Sequence, residues 1–146
     1  MRSKNTLIRI TSKIHAYIYR ISRGRFGKQL GKVGFLLLTT TGRKSGKQRS
    51  VLLAKIPYGA NYIVVASFGG SPVHPAWLMN IRQNPAVQIR VGSIVEQAKA
   101  YIIETTDTRY EEMWAKATAT FRGFSNYRSA TRRHIPIVVI MPHEVN

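Results

Sequence analysis

The sequence predicts a mainly β protein with some α, built as a small antiparallel barrel with flanking helices. Short β-branched and apolar runs follow one another from Val33 onward, each bounded by Gly, Asn or Pro turns. Between and before them, three stretches repeat apolar residues at helical spacing instead. A 146-residue chain with 44% apolar residues can bury one real core, which argues for a single barrel rather than two small units.

In chain order, residues 4–22, "KNTLIRITSKIHAYIYRIS", place Leu7, Ile10, Ile14, Tyr17, Ile18 and Ile21 on one helical stripe, with Arg9, Lys13 and Arg20 elsewhere. This basic amphipathic helix either packs on the domain or lies on anionic lipid. "SRGRFGKQLGK" follows as a connector, so residues 1–32 form an N-terminal helix and connector, and residues 33–146 the barrel. "VGFLLLTTT" reads as a buried strand, "GRKSGKQ" as a turn, and "RSVLLAKIPY" as one partner strand. "YGAN" turns the chain into the strand "YIVVASF". A short helix is expected around Ala76 to Arg82, stopped by Asn84 and Pro85. "AVQIRVG" and "IVEQAKAYIIE" alternate as an antiparallel pair. "TTDTRYEEMWAKATATF" opens on Thr and Asp and runs on helically. "HIPIVVIMP" is the last of about six strands.

Charge narrows the partners. The net charge is +17, and sixteen Lys and Arg precede the first acid, Glu96. Such a field attracts phosphate-rich partners: nucleic acid, anionic lipid or an anionic cofactor. No apolar run reaches the roughly 18 to 20 residues of a membrane span, and cations interrupt residues 7–21 where a leader would need an apolar core. A cytoplasmic location is expected, with peripheral contact at the inner membrane face open. Without Cys there is neither a disulfide framework nor a thiolate site.

The cationic hairpin turn is the first candidate site. Arg43, Lys44, Lys47 and Arg49 sit close together between two apolar runs. A nucleotide-hydrolase loop is excluded: only three residues separate Gly42 from Gly46, Gln48 follows Lys47, and a strand comes next where a helix is required. A glycine-bearing turn with free backbone amides and cations can still hold an anion. His15, His74, His134 and His143 show no ligand spacing, so no metal site is expected. Glu96, Glu104, Glu111 and Glu112 have no evident acid–base partner. The aromatic stretch "FRGFSNYRSATRRH" could line an apolar pocket or stack bases, and no nucleic-acid-binding motif accompanies it.

The stretches "LLTTTGRKSGKQR", "YIVVASFGG", "PAWLMNI", "NPAVQI" and "IPIVV", in that order over residues 10–142, resemble the deazaflavin-dependent nitroreductase family. That resemblance implies a split β-barrel of the flavin-reductase and pyridoxamine-phosphate-oxidase kind, and coenzyme F-420, an 8-hydroxy-5-deazaflavin, in preference to FMN. It implies tail contacts at Arg43, Lys44, Ser45 and Arg49. Ring contacts would fall on Ser50, Val51, Leu52, Leu53 and Ala54, on Val65, Ala66, Ser67 and Phe68, and on Ala76, Trp77, Leu78, Met79 and Asn80. Small residues such as Ala66 and Ser67 would let a flat ring lie against the strand. Phe121, Phe124 and Tyr127 would wall the acceptor, with Ser67 and Tyr127 as the catalytic pair. Phe68 stands where the best-known nitroreductase branch carries Lys, and Phe124 where it carries a Tyr whose hydroxyl orients the acceptor or donates a proton.

The expected activity is hydride transfer from the reduced cofactor to a small-molecule acceptor: a quinone, enone or nitroaromatic. A non-catalytic carrier of a lipid or flavin-like ligand is the alternative, and a basic nucleic-acid-binding domain ranks below both. Split barrels are often homodimers, and no feature of the sequence decides that here.

Overall fold

The computed structural model describes residues 29–30 and 33–143. The amphipathic helix expected over residues 4–22 lies outside them. Eight strands and three helices follow in order: β1 (Gln29–Leu30), β2 (Val33–Thr41), β3 (Gln48–Ala54), β4 (Ile56–Tyr58), β5 (Asn61–Val65), a 3-10 turn (Phe68–Gly70), α1 (Ala76–Gln83), β6 (Ala86–Val91), β7 (Ile94–Ile103), α2 (Tyr110–Thr120), α3 (Gly123–Ala130) and β8 (Ile137–Pro142). All pairings are antiparallel, as expected of a meander of short strands.

The sheet runs β3-β2-β6-β7-β8-β5-β4, with β1 also on β2. Its two ends are one piece of chain. Residues 48–54 pair with β2, the Lys55 amide still donates to the Gly34 carbonyl at 2.9 Å, and Ile56 then pairs with Ile63 of β5. The single strand expected over "RSVLLAKIPY" is therefore two, because the chain changes partner at Lys55. That switch curls the sheet into a split barrel. Together with the two-residue β1, it raises the strand count from the expected six to eight.

Period-two alternation sorts the strands' side chains into two cores. Leu36, Leu38, Val64, Ala66, Val87, Ile89, Ala98, Ala100, Val138 and Ile140 point into the barrel, where Trp77, Leu78 and Ile81 of α1 plug one end. Ile63, Val65, Ile137 and Val139 point outward and pack beneath Tyr110, Met113, Trp114 and Ala117 of α2 and Phe124 of α3. The Tyr110 hydroxyl, buried under this layer, donates to the Ile135 carbonyl at 2.6 Å, and burial pushes its pKa up to about 12.

Two local departures have plain causes. Helix α2 starts at Tyr110 rather than at the Thr-Asp run, because Asp107 accepts the Arg109 amide at 2.9 Å and its carbonyl accepts the Tyr110 amide at 3.0 Å. This Asx-type turn completes before the helix begins. "YIVVASF" leaves the ladder after Val65, since Ser67 already turns to φ −74 and ψ −34, and Phe68, Gly69 and Gly70 follow with φ 46, 61 and 75. A strand cannot continue through left-handed residues.

Candidate functional site

The cationic turn is closed by its own backbone. The Gly42 amide donates to the Lys47 carbonyl at 2.7 Å, and the Gly46 amide to the Gly42 carbonyl at 2.8 Å. The Lys47 amide donates to Ser45 Oγ at 3.2 Å, and the Arg43 amide to Asn80 Oδ1 at 3.1 Å. The amides of Gly42, Arg43, Gly46 and Lys47 are thus already engaged, so of the free amides expected of this turn those of Lys44 and Ser45 remain. An anion held here can use these two amides together with the side chains. Arg43, Lys44, Lys47 and Arg49 are all exposed, and the three ion pairs among the described residues use Arg82, Arg109 and Arg128 instead.

Asn80 fastens this turn to the barrel. Only 4% exposed, it donates from Nδ2 to Thr40 Oγ1 at 3.0 Å, while its Oδ1 accepts both the Arg43 amide and, at 3.4 Å, Arg43 Nη1. One side chain of α1 therefore fixes the end of β2 and the first cation of the turn.

Beside the turn opens a cleft of about 820 Å³. Every residue from Gln48 to Ala54 lines it. Successive strand residues point to opposite faces, so a cleft that touches all seven runs along the edge of β3 and not over one face. That edge carries no ladder among the described residues, because β3 pairs with β2 alone. The opposite wall is Val65, Ser67, Phe68 and Gly69; Pro75, just before α1, and Ala76, Trp77 and Asn80 of α1 contribute the rest. The cleft is the split in the barrel.

At the far end stands the aromatic trio Phe121, Phe124 and Tyr127. Phe121 meets Phe124 edge-on at 4.8 Å between ring centroids, and Tyr127 lies 6.3 Å from Phe124. Helix α3, which carries two of them, was not expected from the sequence. It comes close to the 3-10 turn because Gly70 has no side chain: a Cβ there would stand 3.1 Å from Ala130 Cβ and 3.2 Å from the Tyr127 carbonyl oxygen.

The sequence-derived site residues are for the most part brought together. Arg43, Lys44, Ser45, Arg49, Ser50, Val51, Leu52, Leu53, Ala54, Val65, Ser67, Phe68, Ala76, Trp77, Asn80, Phe121, Phe124 and Tyr127 all border the cleft. Ala66, Leu78 and Met79 do not. Ala66 and Leu78 are wholly buried in the barrel core, so Ala66 cannot be the small residue on which a ring lies. Phe35, Gly42, Gln48, Gly69 and Pro75 complete the lining and were not anticipated. Strand pairing carries the signal for Phe35, which sits opposite Ala54, and chain adjacency carries it for the others. No group of three or more His, Asp or Glu among the described residues could hold a metal.

An open strand edge, a cationic turn at one end and an aromatic wall at the other define a split β-barrel of the flavin-binding class. Comparison with known proteins narrows this class. A family profile described as F-420H(2)-dependent quinone reductase matches residues 11–142. An F-420H(2)-dependent quinone reductase of Mycobacterium tuberculosis is 36% identical over 130 residues, covering 88% of this chain and 87% of that one. A solved F-420-H2 dependent reductase is 35% identical with TM-score 0.64, over 73% of this chain and 92% of that one. Another structure, described as a domain-swapped dimer, is 30% identical with TM-score 0.68, over 88% of this chain and 96% of that one. The chain belongs to the F-420H(2)-dependent quinone reductase family: it is an oxidoreductase, and its cofactor is coenzyme F-420.

Proposed function

We propose that this chain reduces quinones, with the deazaflavin ring lying along the edge of β3 and its anionic tail on the cationic turn. The observation that carries the reading is the course of the cleft, which joins a strand edge unpaired among the described residues, cations outside any ion pair among them, and an aromatic wall in one channel. The residues fit the cofactor's chemistry. Arg43, Lys44 and Arg49 answer a phosphodiester and carboxylate tail, and Ser45 adds a hydroxyl. The β3 edge from Ser50 to Ala54 offers main-chain donors and acceptors to ring heteroatoms. Trp77 and Ala76 close one side, and Val65, Ser67 and Phe68 the other.

When bound in its reduced form, F-420 supplies a hydride, and a quinone taking it up needs one proton to become a hydroquinone. The chain's own part is to orient the acceptor and exclude water. Phe121 and Phe124 stack the acceptor, and the Tyr127 hydroxyl donates a hydrogen bond to its oxygen. Ser67, 6% exposed on the opposite wall, gives a second hydroxyl. Quinones suit this wall better than nitroaromatics or enones, because Phe124 has no hydroxyl to offer. The cations and apolar residues of the sequence 4–22 would let the enzyme dock on an anionic membrane, where lipid-soluble quinones reside; co-sedimentation with anionic vesicles tests this. A homodimer is the assembly favoured by the swapped dimer of the related structure, and light scattering tests it.

Titration of the protein with F-420 while following the deazaflavin's fluorescence polarisation tests the cofactor site. No change at micromolar protein would sink the reading. The double variant Lys44→Ala with Arg49→Ala should bind roughly tenfold more weakly and with a flatter salt dependence, as expected for two exposed cations each worth up to about 1 kcal/mol. Unchanged affinity removes the anion-holding role from the turn.

A further inference from the structure

We propose that Arg133 is the positioning residue of the cleft, holding the turn of residues 66–71 in the shape that lays Ser67, Phe68 and Gly69 on the cleft wall. This rests on the cofactor reading above and adds a residue that does not touch the cleft.

The turn has a backbone problem. After the Ala66 amide donates to the Pro136 carbonyl at 3.0 Å, the chain leaves β8, and the carbonyls beyond lose their ladder partners. Arg133 supplies them. Its Nη2 donates to the carbonyls of Ala66 at 3.1 Å and Ser67 at 2.7 Å, and its Nε donates to that of Ser71 at 2.7 Å. Its Nη1 donates to the His134 carbonyl at 3.2 Å and to His74 Nδ1 at 3.1 Å. One planar fork thus ties both ends of the turn to the entry of β8 and to the loop before α1. Only a guanidinium carries enough donors in a fixed plane for five acceptors; a lysine has three on a flexible stem.

Arg133 takes part in none of the ion pairs among the described residues. Its charge is balanced by carbonyl dipoles, and burial pushes its pKa down. Arg133 is only partly exposed, and partly withdrawing a cation from water without a carboxylate carries a cost. What it maintains is an unfavourable backbone, since Phe68 is a non-glycine residue at φ 46. Strain of that kind persists only where the surroundings over-determine it, and here three hydrogen bonds to the turn, with two more that anchor the guanidinium to His134 and His74, do so.

The test compares Arg133→Lys with Tyr110→Phe, which removes a buried hydrogen bond from the outer core without touching the cleft. F-420 affinity, quinone KM and kcat, and melting temperature are measured for each. Both variants should melt lower. Arg133→Lys alone should weaken F-420 binding by roughly tenfold or more, as expected for a cleft wall displaced by about 1 Å. Wild-type F-420 affinity and KM in Arg133→Lys overturn the proposal, as does an equal loss of affinity in Tyr110→Phe. If Arg133→Lys does not fold, Arg133→Gln is titrated with and without ethylguanidinium. Affinity restored by the guanidinium supports the role, and affinity that is normal without it, or unrestored with it, refutes it. If the wild-type protein itself fails to bind F-420, the cofactor reading fails, and that result is distinct from either outcome for Arg133.

Discussion

Asn80→Ala removes the fastening between α1, β2 and the cationic turn. Two of its hydrogen bonds are well formed, at 3.0 Å to Thr40 and 3.1 Å from the Arg43 amide, and the third, from Arg43 Nη1, is long at 3.4 Å. A made hydrogen bond contributes about 1 kcal/mol net, and a buried group left unpaired costs about 1 kcal/mol more. Thr40 is 1% exposed and has no water to turn to, whereas the Arg43 amide can recruit solvent. The loss of stability is then about 2 to 3 kcal/mol, which in a chain of this size lowers the melting temperature by roughly 6 to 10 °C. Freed from Asn80, the turn's cations must be ordered by the ligand, so F-420 affinity should fall roughly tenfold, or about 1.4 kcal/mol. Thermal melts followed by fluorescence titration measure both effects. Asn80→Asp separates them: its carboxylate still accepts from Arg43 and from the Thr40 hydroxyl, so it should melt near wild type, yet it sets a negative charge beside the tail site and should bind poorly. An Asn80→Ala protein that melts within about 2 °C of wild type and binds F-420 normally would refute both the energetic argument and the fastening role.

Three further outcomes are expected. Phe124→Tyr should raise turnover on nitroaromatics severalfold while leaving quinone turnover near wild type, measured by loss of reduced F-420 absorbance; no gain would mean that the missing hydroxyl does not limit that chemistry. Gly70→Ala adds a methyl at φ 75 against Ala130 and the Tyr127 backbone, and should cost about 2 to 4 kcal/mol from left-handed strain plus overpacking, with a raised quinone KM as α3 shifts. His74 has its pKa lowered from 6.5, first by burial and then by Arg133. The unfolded chain therefore binds the proton more readily, and this contribution to stability is full above pH 6.5 and is lost as the pH falls below it. His74→Gln, whose amide oxygen can still accept from Arg133, should show a shallower fall in melting temperature on acidification; an equal fall would exonerate His74.

Most strands were legible because apolar alternation survives wherever one face meets a core. Val33–Thr41 and the β6–β7 pair fall where the periodicity puts them. The break at Lys55 was not legible, because a strand that changes partner keeps its apolar pattern across the change. Helix α3 was missed for the opposite reason. Phe124 is its one buried side chain and Tyr127 faces the cleft, so eight residues carry too short a stripe to read as a helix. The site was legible as segments, since chain-adjacent residues of β3 border the same cleft. Ala66 and Leu78 were misplaced because membership of a segment does not say which face a residue takes. Arg133 could not be found at all, because its partners lie up to 67 positions away, at Ala66.

The partner change at Lys55 gives the cleft a second role. The strand whose open edge borders the cleft is also the latch that joins the first and last strands of the barrel. A molecule seated along β3 therefore braces the closure of the whole sheet, and an empty cleft leaves that closure to β2 and β5 alone. Since a ligand that binds only the folded chain stabilises it by mass action, the supply of F-420 would govern how long the folded enzyme survives proteolysis as well as how fast it turns over.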